Sequence, residues 1–106
     1  MTEQAFRIQL TLTIHPGRED EFEKTWLEIG DAVTGHPANI GQWLARSSDE
    51  PGTFVVTSDW VSEEKFREFE HSPGHKTHRE KLHPLRASGS MTTQHVLHHF
   101  AGEAAR

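Results

Sequence analysis

Residues 5–15, AFRIQLTLTIH, alternate without a break. Phe6, Ile8, Leu10, Leu12 and Ile14 fall on one side; Arg7, Gln9, Thr11 and Thr13 fall on the other. A period of two is the signature of a β-strand with one buried face, because successive side chains point to opposite sides of the pleat. Such a strand has to sit in a sheet whose apolar face is covered by another layer. Pro16-Gly17 ends it.

The rest of the chain supplies those partners. In REDEFEKTWLEIGDAVTG, Phe22, Trp26, Ile29 and Val33 recur at helical spacing with Leu27 beside them. Glu19, Asp20 and Glu21 sit in the first turn, where the helix dipole favours negative charge. Gly30 weakens the helix, and Gly35 and Pro37 mark its stop. Residues 40–47 read as a second strand, Ser48–Gly52 as a turn, and residues 53–60, TFVVTSDW, as a third strand. There Phe54, Val56, Ser58 and Trp60 share a side. Ser62 caps a helix carrying Phe66 and Phe69. Ser72-Pro73 restarts a helix over 73–82, which Pro84 closes. Residues 90–100 read as the last strand, and 101–106 as a mobile tail. The order β-α-β-β-α-β predicts one α+β domain over residues 1–100. Its expected form is a ferredoxin-like antiparallel sheet with helices on one face.

Composition narrows the chemistry. The chain of 106 residues suits one domain, and its hydrophobic fraction of 33% is lean enough to imply burial by self-association. Eleven Lys and Arg against sixteen Asp and Glu leave a net charge of −5, which argues against a nucleic-acid partner. No apolar run reaches the roughly 18 residues of a membrane span. Met1-Thr-Glu-Gln lacks the basic and apolar regions of a signal peptide, so a cytoplasmic location is expected. With no Cys, disulfides, thiolate nucleophiles and zinc-thiolate sites are excluded. With no Tyr, a phenol cannot act as acid or radical carrier. Nine His make imidazole the main acid–base group near neutral pH.

The strand ending in HPGREDEFEKTW, the hairpin stretch WLARSSDEPGTFVVTSDW and the following SEEKFREFEHSPGHKTHREKL together resemble the antibiotic biosynthesis monooxygenase family. The likeness spans residues 5–100. It is strongest at SDW-VSEEKF and at SPGHKTH. It implies a dimeric α+β barrel: a homodimer joined through the helix-free sheet faces, with a pocket between sheet and helices in each subunit. Members include cofactor-free oxygenases of anthrone-like polyketide intermediates and of quinols, haem-degrading enzymes and isomerases; aromatic polyketide cyclases share the architecture. By this resemblance Trp60 matches the Trp that ends the third strand in the polyketide oxygenases. Phe66 stands where one of them has Tyr, and Val56 where it has Asn. Gln9-Leu10 covers the region of another catalytic Asn. A helical Arg falls within a residue of Arg79, and a His of the haem-degrading branch within a residue of His78. That branch's Trp falls on Phe69 and its Asn on Ile8. The implied function is a cofactor-independent monooxygenase acting on an aromatic polyketide. The alternatives are a cyclase of the same fold and a non-catalytic protein that binds such a compound.

The residues themselves point to one cluster. His75, His78 and Leu82 form one helical stripe, and Leu82 makes it the inward one. His75 and His78 are candidate proton acceptors, or else polar residues bonded at a pocket rim. Trp60 is a pocket wall or plain core. Phe54, Val56 and Leu10 share the sheet face under the helices, and Phe66 and Phe69 enter from the helix above. The candidate catalytic set is therefore His78, Trp60 and His75, to which the resemblance adds Arg79. The candidate substrate-binding set is Phe66, Phe69, Phe54, Val56, Leu10 and Leu82. His71 and His83 lie near enough in sequence to raise a metal site, but the spacing supplies at most two firm ligands. No metal, haem or flavin is expected, with no GxGxxG and no phosphate loop present.

Overall fold

A computed structural model of the chain describes residues 4–105. Residues 1–3, within the stretch read for a leader, and residue 106, the last of the expected tail, lie outside the described residues. The strands are β1 (Phe6–Ile14), β2 (Asn39–Arg46), β3 (Thr53–Trp60) and β4 (Arg86–His95). The helices are α1 (Glu19–Thr34), α2 (Glu63–Glu70) and α3 (Pro73–Leu82), followed by a 3₁₀ turn at His83–Leu85. Of the expected tail, Glu103–Ala105 form a second 3₁₀ turn. The four strands make one antiparallel sheet in the order β2-β3-β1-β4, the ferredoxin-like α+β arrangement.

The local rules read from the sequence operate as chemistry. Ser62 Oγ accepts from the Lys65 N–H at 3.2 Å, and Ser72 Oγ accepts from the His75 N–H at 3.3 Å, so each short helix starts on a side-chain cap. Pro73 opens α3, where its missing N–H costs nothing. The β2–β3 turn needs Gly52, whose φ of +78° lies in the left-handed region. Its carbonyl accepts from the Ile14 N–H at 2.8 Å and ties the turn to β1.

The last strand departs from the expected 90–100. It runs over Arg86–His95 because it pairs along the whole of β1, from Phe6 opposite His95 to Ile14 opposite Arg86. Beyond His95 there is little of β1 left, and Val96 donates to the Ala5 carbonyl at 2.9 Å. As an edge strand exposed along most of its length, RASGS carries no apolar alternation to reveal it.

Alternation on β1 and β3 drives the core. Phe6, Ile8, Trp60, Phe66, Phe69 and Ala38 form one buried cluster. Leu12, Ile14, Phe22, Phe54, Val56 and Leu85 form a second. Half-buried Leu10 packs against both, and between the clusters the helices stand off the sheet. On the opposite face Arg7 forks onto Asp59 through two bonds of 2.8 and 2.9 Å. That face also carries Gln9, Thr11, Val55, Thr57 and Trp43, and Trp43 is 53% exposed.

Candidate functional site

Between the two core clusters lies a cavity of about 290 Å³. The sheet lines it with Ile8, Leu10, Leu12, Gln42, Val56, Ser58, Trp60 and Met91. Helix α1 contributes Phe22, Trp26, Ile29, Gly30 and Val33, and α2 contributes Phe66, Phe69 and Glu70. Helix α3 adds His75, His78, Arg79 and Leu82, and His83 and Arg86 complete the lining. An apolar space with a few convergent polar groups is the usual form of a small-molecule site.

The aromatic wall is rigid. The Trp60 ring lies 4.8 Å from Phe69 and 5.5 Å from Phe66. Its indole N–H donates to Ser58 Oγ at 3.1 Å, and the residue is only 1% exposed. The one donor of Trp60 is therefore already committed. His36, which the sequence presents only as a turn residue, meets Trp60 and Phe69 edge-on at 5.5 and 5.7 Å. Its Nδ1 accepts from the Ala38 N–H at 3.1 Å, which places the ring proton on Nε2.

His75 and His78 line the cavity one turn apart. Both Nδ1 atoms are buried and without a hydrogen-bond partner among the described residues. Buried polar atoms are normally paired, so these two nitrogens are available to a hydrogen-bonding group in the cavity. The His75 ring packs against Phe69 with centroids 4.6 Å apart and planes tilted by 50°. Burial pushes its pKa below the usual value of 6.5, the Arg79 charge adds to that, and Glu70 opposes it. His75 is thus neutral at neutral pH. The unfolded chain takes up its proton near pH 6.5, while the folded chain takes it up only at lower pH. The stability contributed by neutral His75 is therefore present above 6.5 and lost as pH falls through the folded value. Thermal melts between pH 7.5 and 5 are expected to drop less steeply for His75→Gln than for the native chain. Equal slopes would remove His75 as the cause.

Among the described residues, no group of three or more His, Asp or Glu is placed to hold a metal. The cavity brings together nine of the ten residues singled out in the sequence: His75, His78, Arg79, Trp60, Phe66, Phe69, Val56, Leu10 and Leu82. Phe54 is the correction. It stacks on Phe22 at 5.0 Å in the second core cluster and does not line the cavity, because α1 fills the space above that end of the sheet. Sequence reasoning missed Gln42 and Arg86 and raised His83 only in connection with a metal. Alternation along β2 places Gln42 beside Leu44 on the helix side, where its amide donates to the Gly30 carbonyl at 3.1 Å. Nothing local marks Arg86.

Residues 5–81 match the family described as antibiotic biosynthesis monooxygenase. The chain belongs to that family. Two curated members of Streptomyces are related in sequence. The 42.8 kDa protein in the whiE locus of Streptomyces coelicolor is 30% identical over 69 residues, 65% of this chain and 17% of that protein. Protein SchA of Streptomyces halstedii is 30% identical over 79 residues, 74% of this chain and 20% of that protein. The chain thus spans about a fifth of the length of either relative. Among solved structures, SnoaB, a cofactor-independent oxygenase of Streptomyces nogalater, superposes with a TM-score of 0.83 at 19% identity, covering 93% of this chain and 99% of that one. At that identity the likeness carries the antibiotic biosynthesis monooxygenase fold alone.

Proposed function

We propose that this protein is a cofactor-independent monooxygenase of aromatic polyketide biosynthesis, acting on an anthrone-like or quinol-like intermediate in the cavity beneath α1 and α3. The observation that carries the reading is the pair of imidazoles, His75 and His78, with orphaned Nδ1 atoms in an aromatic-walled cavity. Family membership and the fold shared with the oxygenase SnoaB support it. In this reading the planar ring system packs against Trp60, Phe66 and Phe69. His78 takes the proton of a phenol or an activated CH₂. His75, its basicity depressed by burial, stays neutral beside the imidazolium that forms. Arg79 stabilises the enolate. The carbanion then reduces O₂: the CH₂ becomes C=O, one oxygen atom stays in the product, and the other leaves as water with the two hydrogens. The substrate supplies all four electrons.

Oxygen uptake with dithranol, an anthrone, tests this. The expected result is enzyme-dependent uptake of one O₂ per quinone formed; bound dithranol without uptake above autoxidation overturns oxygenation. One observation favours a second reading. By the family resemblance, Val56 and Phe66 stand where one of the polyketide oxygenases has Asn and Tyr, and neither can donate a proton. A cyclase would use the same base and wall without consuming O₂.

The active form in this reading is a homodimer. Trp43, Val55 and Thr57 leave an apolar, β-branched stripe on the helix-free face that a second copy would cover. Light scattering is expected to give twice the 12.1 kDa chain mass, and the mass of one chain at micromolar concentration excludes the dimer.

A further inference from the structure

We infer that the cavity takes an anionic aromatic ligand, a ring system bearing a carboxylate, and that Arg86 is the residue that recognises the charge. The inference rests on the small-molecule reading of the cavity given above and adds the ligand's class to it.

Three features put the Arg86 guanidinium where it is. The first is a bulge. Ile14 pairs with Arg86 and Thr13 with Ser88, which leaves Ala87 as an extra residue in β4. Residues 86 and 89 are an odd number apart, so regular alternation would send them to opposite faces. The bulge brings Arg86 to the face shared by Ile14, Leu12 and the cavity. The second is Gly89. A Cβ there would lie 2.6 Å from Arg86 Nη1 and 2.8 Å from Leu12 Cδ2, so the guanidinium crosses the strand over the one residue that leaves room for it. The third is His83, whose Nδ1 accepts from Arg86 Nε at 3.2 Å. That contact uses one of five N–H donors; among the described residues the other four have no side-chain partner.

Charge completes the case. The chain has a net charge of −5, yet neither Arg86 nor Arg79 has a carboxylate partner among the described residues. The cavity's one carboxylate, Glu70, is taken by Arg67 at 3.1 Å. Two guanidiniums without a carboxylate partner among the described residues, that of half-buried Arg86 and that of exposed Arg79, therefore border a mostly apolar cavity in an acidic protein. A planar fork matches a carboxylate with two parallel hydrogen bonds. With its ring system against Trp60 and Phe69, a ligand would direct the carboxylate toward Arg86.

The test uses two probes of the same shape, anthraquinone-2-carboxylate and anthraquinone-2-carboxamide, titrated against the full chain by quenching of tryptophan fluorescence. The native protein is expected to bind the carboxylate about tenfold or more tightly than the carboxamide. Arg86→Gln is expected to reduce that preference to below about threefold. Gly89→Ala, which displaces the guanidinium without removing it, should do the same. Equal affinity of the native protein for the two probes overturns the inference without recourse to any variant and leaves the aromatic site standing. A preference that survives both substitutions in folded protein overturns it as well. Binding of neither probe by the native protein removes the aromatic site itself, and the inference with it.

Discussion

His78→Ala is expected to lower turnover of the true substrate by about 10²–10⁴, the usual worth of a positioned general base, with binding of the aromatic substrate largely retained. The substitution is clean, because His78 Nδ1 makes no hydrogen bond that its loss would break, and the residue is only half-buried on α3. His75→Ala is the comparison. It removes the ring packed against Phe69 and should cost less in turnover and more in binding, since burial depresses its basicity. Steady-state kinetics on both variants, with folding checked by circular dichroism, separates the roles through the split between kcat and KM. Near-native turnover in His78→Ala places the base elsewhere. Near-native turnover in both leaves the cavity without an imidazole base, and ligand binding without chemistry becomes the better reading.

Trp60→Ala is expected to cost about 3–5 kcal/mol of stability, read as a lower urea midpoint at unchanged slope. Trp60 is among the most completely buried side chains, joins Phe66 and Phe69 to the sheet, and pairs across β1 with Phe6. Against a total of about 5–15 kcal/mol for a domain of this size, the variant sits close to unfolding. Trp60→Phe keeps most of the ring contact, loses only the bond to Ser58 Oγ, and should cost clearly less. It also separates the two roles of this residue. A folded Trp60→Phe protein with weakened ligand binding shows a cavity wall; one with native binding shows plain core. A loss below about 1 kcal/mol in Trp60→Ala would mean that the aromatic cluster does not depend on it.

Much of this was legible in the residues because the relevant signals are local. The unbroken alternation of residues 5–15 is β1, and the same parity on TFVVTSDW correctly placed Val56, Ser58 and Trp60 under the helices. Ser62 and Ser72-Pro73 marked helix starts through bonds that span three residues. Helical spacing put His75, His78 and Leu82 on one inward stripe, where the cavity has them.

What needed the tertiary structure is whatever depends on residues distant in sequence. The register of β4 is set by hydrogen bonds to β1, some eighty residues earlier in the chain, and an exposed edge strand has no hydrophobic pattern of its own to show where it starts. The bulge at Ala87, which turns Arg86 onto the cavity side, exists only in that pairing. Phe54 obeys the alternation and still misses the cavity, because how far α1 stands from the sheet at that end is decided by Phe22 packing on it. His36 looks like a turn residue until the chain brings Trp60 and Phe69 to its ring. Periodicity says which way a side chain points. Whether the space it points into is filled or empty depends on how separate elements pack, and that is decided by contacts no local pattern encodes.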